Sequence, residues 1–261
     1  MTIKTVYFHR QGWRGTNAGR NRKRYKKYRG PHRSLASKIK KISLAQCETK
    51  KSYQRLTPGT AARELFHNVT AYYPNLMATT QGTDDPQGNT QDGRNRIGTD
   101  IIARGMKVKV MFISKVDRPN LNIHCYLFKY NTTFFDKFEP TAPAGAGDSI
   151  FWAGPLGVGA DSNRLLDHPN TDRVNPIKKL VVQNRNVNTG ESNNRVTTVY
   201  REFYIPFKNW KVRYDNDTGG GKFPMYKDIG LAVVAYDTPD TNELQSVAYV
   251  TATTCLYFKD P

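Results

Sequence analysis

Met106-Lys-Val-Lys-Val-Met-Phe112, then Asp117-Arg-Pro-Asn120, then Leu121-Asn-Ile-His-Cys-Tyr-Leu-Phe128 is the passage that decides the fold class. In its first part Met106, Val108, Val110 and Phe112 alternate with Lys107, Lys109 and Met111. In its last part Leu121, Ile123, Cys125 and Leu127 alternate with Asn122, His124, Tyr126 and Phe128. Successive side chains of a strand point to opposite faces, so a period of two marks β-structure with one buried face. The Asp-Arg-Pro-Asn segment between them reads as a turn, and the passage predicts a β-hairpin.

The same period extends outward from this centre. Residues 180–183 form a short apolar run, and residues 196–207 are rich in β-branched and aromatic types. Residues 229–236 are apolar without interruption, as expected of a strand covered on both faces. Over residues 247–258, Ala248, Val250, Ala252, Leu256 and Phe258 share a face that only Thr254 breaks. Residues 61–73 are expected to supply one or two helical turns; no long helix is expected among the strands. Many strands with long connections, at 74–100, 131–178 and 208–227, read as an all-β sandwich or barrel. Loops of that length are commonly functional or lie at contacts with neighbours, and Gly and Pro mark them as irregular surface structure. Tyr72, Tyr73, Trp152 and Trp210 are candidate contact residues there, with the core as their other reading.

The N-terminal end is different in kind. The first fifty-five residues hold seventeen Lys and Arg against one acid, Glu48, whereas the remainder is nearly balanced, at twenty-three bases and twenty-one acids. A segment so charged and so poor in aliphatic residues cannot bury enough apolar surface to offset its ordering entropy. The expected division is therefore a basic arm over 1–46 and a folded body over 47–261. Within the arm, Arg10, Arg14, Arg20, Arg22, Lys23, Arg24, Lys26, Lys27, Arg29 and Arg33 stand among rings that include Tyr25 and Tyr28. Cations neutralise phosphates and release their counterions. Rings stack on unpaired bases whatever the sequence. Single-stranded nucleic acid is the expected partner, with a nuclear-localisation signal as a second or coexisting role. Residues 34–46 read as a short basic helix with Ser34 as N-cap and Leu35, Ile39 and Ile42 on one face. That stripe is narrow for a membrane surface or a peptide groove, so docking on the body or on another subunit is expected.

Catalytic and metal chemistry finds little support. The five histidines have no ligand spacing, and Cys47, Cys125 and Cys255 are scattered, which implies neither a zinc site nor a disulfide framework. His124 and Cys125 are strand neighbours and point apart, so they form no dyad. Asp84, Asp85 and Asp92 could gather Ca²⁺, but a solvated acidic loop is the preferred reading. Residues 154–159 lack the dinucleotide-binding glycine pattern, and Asp228 and Asp237 flank a strand with nothing marking them as an acid/base pair. No cofactor and no enzymatic activity are expected. No run of apolar residues is long enough to span a membrane as a helix, and the first ten residues carry no apolar core of a secretory leader.

Gln81-Gly-Thr83, followed by Arg96-Ile-Gly98 and Ile101, resembles a segment of the capsid proteins of circovirus-like (CRESS-DNA) single-stranded DNA viruses. The stretch Tyr226-Lys-Asp-Ile-Gly-Leu-Ala-Val-Val-Ala-Tyr-Asp237, with Tyr257-Phe258, is similar to their last two strands, and a basic arm before an all-β body matches their layout. Residues 131–195 carry no part of the resemblance, and Asp84 to Asn95 separates the two halves of the first motif. The resemblance implies a single eight-stranded antiparallel jelly roll. It further implies a closed icosahedral homo-oligomer, on the order of sixty copies, with the arm on the genome. A virion location, a nuclear stage and a host nuclear import receptor are implied with it. The competing expectation is a monomeric single-stranded nucleic-acid-binding or movement protein with the same arm.

Overall fold

A computed structural model of the chain describes residues 35–56, 62–79, 96–116, 118, 120–139, 146–154, 163–184, 197–214, 222–237 and 245–260. The chain divides into two units, Met1–Gln46 and Cys47–Pro261. In the first, helix α1 spans Leu35–Gln46, as its spacing predicts. Its apolar stripe is open to solvent: Leu35, Ile39 and Ile42 are all more than half exposed. Ser34, the expected cap, lies outside the described residues.

Nine strands are described in the second unit: β1 Lys50–Arg55, β2 Arg63–Phe66, β3 Thr70–Tyr73, β4 Asp100–Ser114, β5 Leu121–Asn131, β6 Val174–Asn184, β7 Thr198–Arg213, β8 Lys227–Tyr236 and β9 Ser246–Lys259. One sheet has the order β1-β9-β4-β7 with β2 also on β9, and the other has the order β3-β8-β5-β6. All named pairs are antiparallel. β1 and β2 pair with opposite ends of β9 and so share one edge position, which leaves eight positions for the nine strands. From β2 onward the chain changes sheet at every step except β5 to β6. That winding, with four strand positions in each sheet, is the eight-stranded antiparallel jelly roll.

The topology corrects the expected hairpin. β4 pairs with β7 and β9, whereas β5 pairs with β6 and β8. The two strands face each other across the sandwich. Met106, Val108, Val110 and Phe112 pack in one core with Leu121, Ile123, Cys125 and Leu127. Alternation states which face is buried and not which strand lies alongside, so both arrangements have the same pattern. The expected helical turns at 61–73 are also corrected. β2 pairs with β9 and β3 with β8, and Asn68 reverses the chain between them at φ 57°. Burial of Leu65 and of the β-favouring Thr-Ala-Tyr-Tyr run against partner strands outweighs the weak helical pattern. Two connections shorten. β6 begins at Val174 and carries Pro176 on its unpaired edge, where proline is tolerated. β7 continues past residue 207 to Arg213 through Lys208 and Asn209, both at positive φ.

The segment between β5 and β6 has a structure that periodicity did not reveal. It contains a 3-10 turn at Thr132–Phe134 and two single-turn helices, α2 Phe135–Phe138 and α3 Asp148–Phe151. Phe138, Ile150, Phe151 and Trp152 lie against Tyr72, Tyr126, Phe128, Tyr130, Ala232 and Val234, on the back of the β3-β8-β5-β6 sheet. Polar contacts pin them. The Tyr72 hydroxyl donates to Asp148 Oδ1 at 2.6 Å, and Trp152 Nε1 donates to Thr70 Oγ1 at 3.0 Å. Arg164 bridges Asp148 at 3.5 Å and Asp167 at 3.0 Å. β8 is consequently buried on both faces, as its unbroken apolar run predicts. Tyr72, Tyr73 and Trp152, read as candidate contact residues, belong to the core, and Trp210 is partly buried against it.

Candidate functional site

The two sheets differ in what covers their outer faces. The back of the β3-β8-β5-β6 sheet is occupied by the aromatic cluster just described. Strand registers place a distinct set of side chains on the back of the other sheet. Tyr53, Cys255, Lys107 and Tyr204 form one row across β1, β9, β4 and β7, and Arg55, Thr253, Lys109 and Glu202 form the next. Lys51, Tyr257 and Gly105 begin the row on one side, and Met111 with Tyr200 stands on the other. Tyr53, Tyr200 and Tyr204 are each more than half exposed. A groove of about 520 Å³ lies here, lined by Tyr53, Gln54, Arg55, Lys107, Lys109, Thr253, Thr254, Cys255 and Tyr257.

Four cations, Lys51, Arg55, Lys107 and Lys109, share this face with one carboxylate, Glu202. Lys107 Nζ lies 2.5 Å and Lys109 Nζ 3.6 Å from it, and the Tyr200 hydroxyl donates to it at 3.0 Å. The hydrogen bond from Lys107 holds the Glu202 carboxyl below its ordinary value, and the same bond holds the Lys107 ammonium above its own. Both are charged at neutral pH, and the face keeps an excess of positive charge. Rings frame the cations. Tyr204 and Tyr257 meet edge to face at 5.9 Å, and Lys51 Nζ stands 5.9 Å from the Tyr257 centroid. Cations and rings set side by side in this way can hold an anion and stack a flat apolar group next to it.

Gly105 makes room for this arrangement. A Cβ there would fall 2.1 Å from the Tyr204 hydroxyl oxygen and 2.7 Å from the Ile205 carbonyl oxygen, and the second is backbone that cannot turn aside. Gly105→Ala is expected to destabilise the fold by about 1–3 kcal/mol. A urea midpoint equal to that of the parent would contradict this close approach.

The twelve arm residues singled out by sequence, Arg10 through Arg33, lie outside the described residues, as do Asp84, Asp85, Asp92 and Gln81-Gly-Thr83. Arg96 of the second half of that motif is wholly buried. Its guanidinium stacks over Tyr214 at 4.7 Å, and its Nη1 donates to the Gly98 carbonyl. Ile97 N–H donates to Asp260 Oδ2 at 3.2 Å, and Lys50 Nζ reaches the same oxygen at 2.7 Å. Arg96-Ile-Gly98 is therefore tied to Tyr214 and to Asp260, the residue after the last strand. Among the described residues no group of three or more His, Cys, Asp or Glu could hold a metal ion. Cys125 points into the core and burial pushes its thiol up, while His124 packs against Tyr126 at 6.1 Å on the other face. No described helix is long and apolar enough to cross a membrane. Sequence reasoning marked Lys107 and Lys109 as outward but missed the face, because its other members come from strands far away in the chain.

No family model matches the chain, and no curated protein matches it. Solved structures align over most of its length, among them the following three. A chain of the full particle of Israeli acute paralysis virus heated to 63 degrees aligns at 12% identity and a TM-score of 0.23, over 99% of this chain and 83% of that one. VP1 of chimpanzee polyomavirus, in its apo form, aligns at 8% identity and a TM-score of 0.12, over 81% and 77%. VP1 of the trichodysplasia spinulosa-associated polyomavirus aligns at 12% identity and a TM-score of 0.10, over 81% and 76%. At these scores the likenesses carry no functional weight, and the assignment of the body as a jelly roll rests on its own strand order.

Proposed function

We propose that the chain is a viral coat protein that assembles into a small icosahedral shell and packages single-stranded circular DNA through its basic arm. The observation that supports this best is the junction of a complete jelly roll with a strongly segregated charge. Residues 1–46 hold fourteen Lys and Arg and no acid, whereas the sandwich that follows is nearly balanced. The cationic segment neutralises a polyanion, and the sandwich tiles without self-repulsion. In this reading Arg10, Arg14, Arg20, Arg22, Lys23, Arg24, Lys26, Lys27, Arg29 and Arg33 meet phosphates, and Tyr25 and Tyr28 meet bases. Arms pooled from on the order of sixty subunits would bring close to a thousand positive charges to the packaged strand. Residues 47–261 form the wall. Closed symmetry covers surface that a lone subunit leaves exposed. A virion location, nuclear assembly and a host import receptor complete the proposal and follow the resemblance of Gln81-Gly-Thr83, Arg96-Ile-Gly98 and the last strands.

Electron microscopy and sizing of the purified chain test the shell. Closed particles of uniform small diameter are expected, with nucleic acid that nuclease cannot reach. A chain that stays monomeric at every concentration and ionic strength would overturn the shell and favour a monomeric nucleic-acid-binding protein. Deletion of residues 1–40 tests the arm. Truncated particles are expected to form but to lose most of the protected nucleic acid, and unchanged content would remove the arm's role.

A further inference from the structure

We propose that the outer face of the β1-β9-β4-β7 sheet is a second nucleic-acid site, built for a short stretch of single strand. Arg55, Lys107 and Lys109 take the phosphates, and Tyr53, Tyr204 and Tyr257 take the bases. The inference stands on the sheet face and does not depend on the shell.

Three features of the face select this ligand class. The first is charge: four cations stand against one acid that is already shared by Lys107, Lys109 and Tyr200. An incoming phosphate competes with Glu202 for the two ammonium groups and finds Arg55 beside them in the groove. The second is the rings. A carboxylate-rich peptide would use the cations and leave the tyrosines idle, whereas every nucleobase offers a flat face to stack. The third is accessibility of bases. A duplex keeps its bases within the stack and presents only its backbone to a flat sheet, so the tyrosines meet bases only when the strand is unpaired. Size agrees as well. The row from Tyr53 through Cys255 and Lys107 to Tyr204 crosses three strand spacings, about 14 Å, which seats a few nucleotides.

Chain connectivity adds to the argument. The arm ends at Gln46, and β1 begins at Lys50 and supplies Lys51, Tyr53 and Arg55 to the face. Cys47 is held at this sheet by the Lys259 ammonium, which donates to its carbonyl at 2.6 Å. A strand bound by the covalently attached arm stays tethered to the same chain, which lowers the affinity that the face itself must supply.

The test uses the full-length chain and a short oligothymidylate carrying 5-iodouracil, which forms photo-adducts with aromatic side chains that it stacks on. Adduct positions are read by mass spectrometry of the digested protein. Adducts are expected at one or more of Tyr53, Tyr204 and Tyr257, in addition to those within residues 1–46. The triple variant Arg55→Ala, Lys107→Ala, Lys109→Ala is expected to reduce the tyrosine adducts at least about tenfold and to leave the arm adducts in place. These side chains stand on an outer face, and an unchanged far-UV spectrum checks the fold. Glu202→Gln, which frees both lysines, is expected to raise the tyrosine adducts severalfold. Adducts confined to residues 1–46 would overturn the proposal, as would tyrosine adducts indifferent to both variants. Competition by duplex as effective as by single strand would overturn its single-strand character. Particle formation is scored separately, so failure of the shell and failure of this site give different results.

Discussion

Replacing Asp228 with asparagine is expected to raise the stability of the folded protein by about 2–3 kcal/mol above neutral pH. Asp228 is wholly buried at the start of β8. Its Oδ1 accepts from the backbone N–H groups of Ile229 at 2.6 Å and Met77 at 3.2 Å, and its Oδ2 has no hydrogen-bond partner. Burial pushes the carboxyl up to about 7, and the two backbone donors recover only part of the shift. The titratable groups that face it do not help. Tyr130 on β5 and Tyr214 beyond β7 are near enough for its charge to raise both phenols, but burial is the larger cause and keeps them neutral throughout this range. Between the ordinary carboxylate value and 7 the native state holds a proton that the unfolded chain has released. Stability therefore falls as pH rises across that window, by about 1.4 kcal/mol per pH unit, and is level above it. The full ionisation cost is on the order of 4 kcal/mol. Asparagine removes that cost and keeps the acceptor for Met77 and Ile229, at the expense of about 1–2 kcal/mol for an amide donor without a partner.

His124 makes the pH profile diagnostic. Burial, with the charge of Lys179 beside it, lowers this imidazole to about 4. Between 4 and its ordinary value the unfolded chain binds the proton that the folded chain refuses, so this residue makes stability rise with pH. Over the shared window the two slopes oppose each other, and these two residues together leave the parent's profile nearly flat. In Asp228→Asn the histidine slope stands uncovered, and stability should rise with pH from about 4 to 6.5. Urea denaturation across pH 4 to 8 measures both effects. An asparagine variant less stable than the parent at pH 8, or a difference between them that does not change with pH, would refute the account.

The part of the fold that was legible in the sequence is the part dictated by local period. β4, β5, β8 and β9 alternate or run apolar as their burial requires, and α1 follows its own spacing. Partner choice was not legible. Alternation in Met106–Phe112 and Leu121–Leu127 fixes an inner face for each strand, but whether the faces lie side by side or opposed depends on strands more than fifty residues away, as the pairing of Lys107 with both Tyr204 and Cys255 and of Leu127 with Lys178 shows. The open face of that sheet was obscured for the same reason. Lys107 and Lys109 read as outward, yet their company of Tyr53, Arg55, Glu202 and Tyr257 exists only once the registers are set. Arg96 shows the reverse case, since a basic residue in a recognisable motif lies inside the molecule, stacked on Tyr214.

Phe128→Ala is expected to cost about 3–5 kcal/mol and to loosen one layer of the molecule before the rest. Phe128 is wholly buried on the back of the β3-β8-β5-β6 sheet, with the rings of Phe151, Phe138 and Tyr130 at 4.8, 5.2 and 5.8 Å. Its ring lies over Gly230 of β8, where a Cβ would come within 2.7 Å of it. No aliphatic residue of the sandwich core can move into the space, because the sheet stands between them and Leu127 points the other way into that core. The cavity left by alanine is therefore lined by α2, α3 and the sheet back, and it weakens the hold of those two helices in particular. What remains there is the packing of Phe138, Phe151 and Trp152 on Tyr72, Tyr126 and Tyr130, with the Tyr72–Asp148 and Trp152–Thr70 hydrogen bonds and the Arg164 bridges. Amide hydrogen exchange should show lost protection first at Ile150, Phe151 and Trp152, while β4 and β9, on the far side of the core, keep theirs until global unfolding. Uniform loss across both sheets would mean that the aromatic layer and the sandwich unfold as one unit. A cost below about 1 kcal/mol would mean that the cluster does not pack as its ring contacts require.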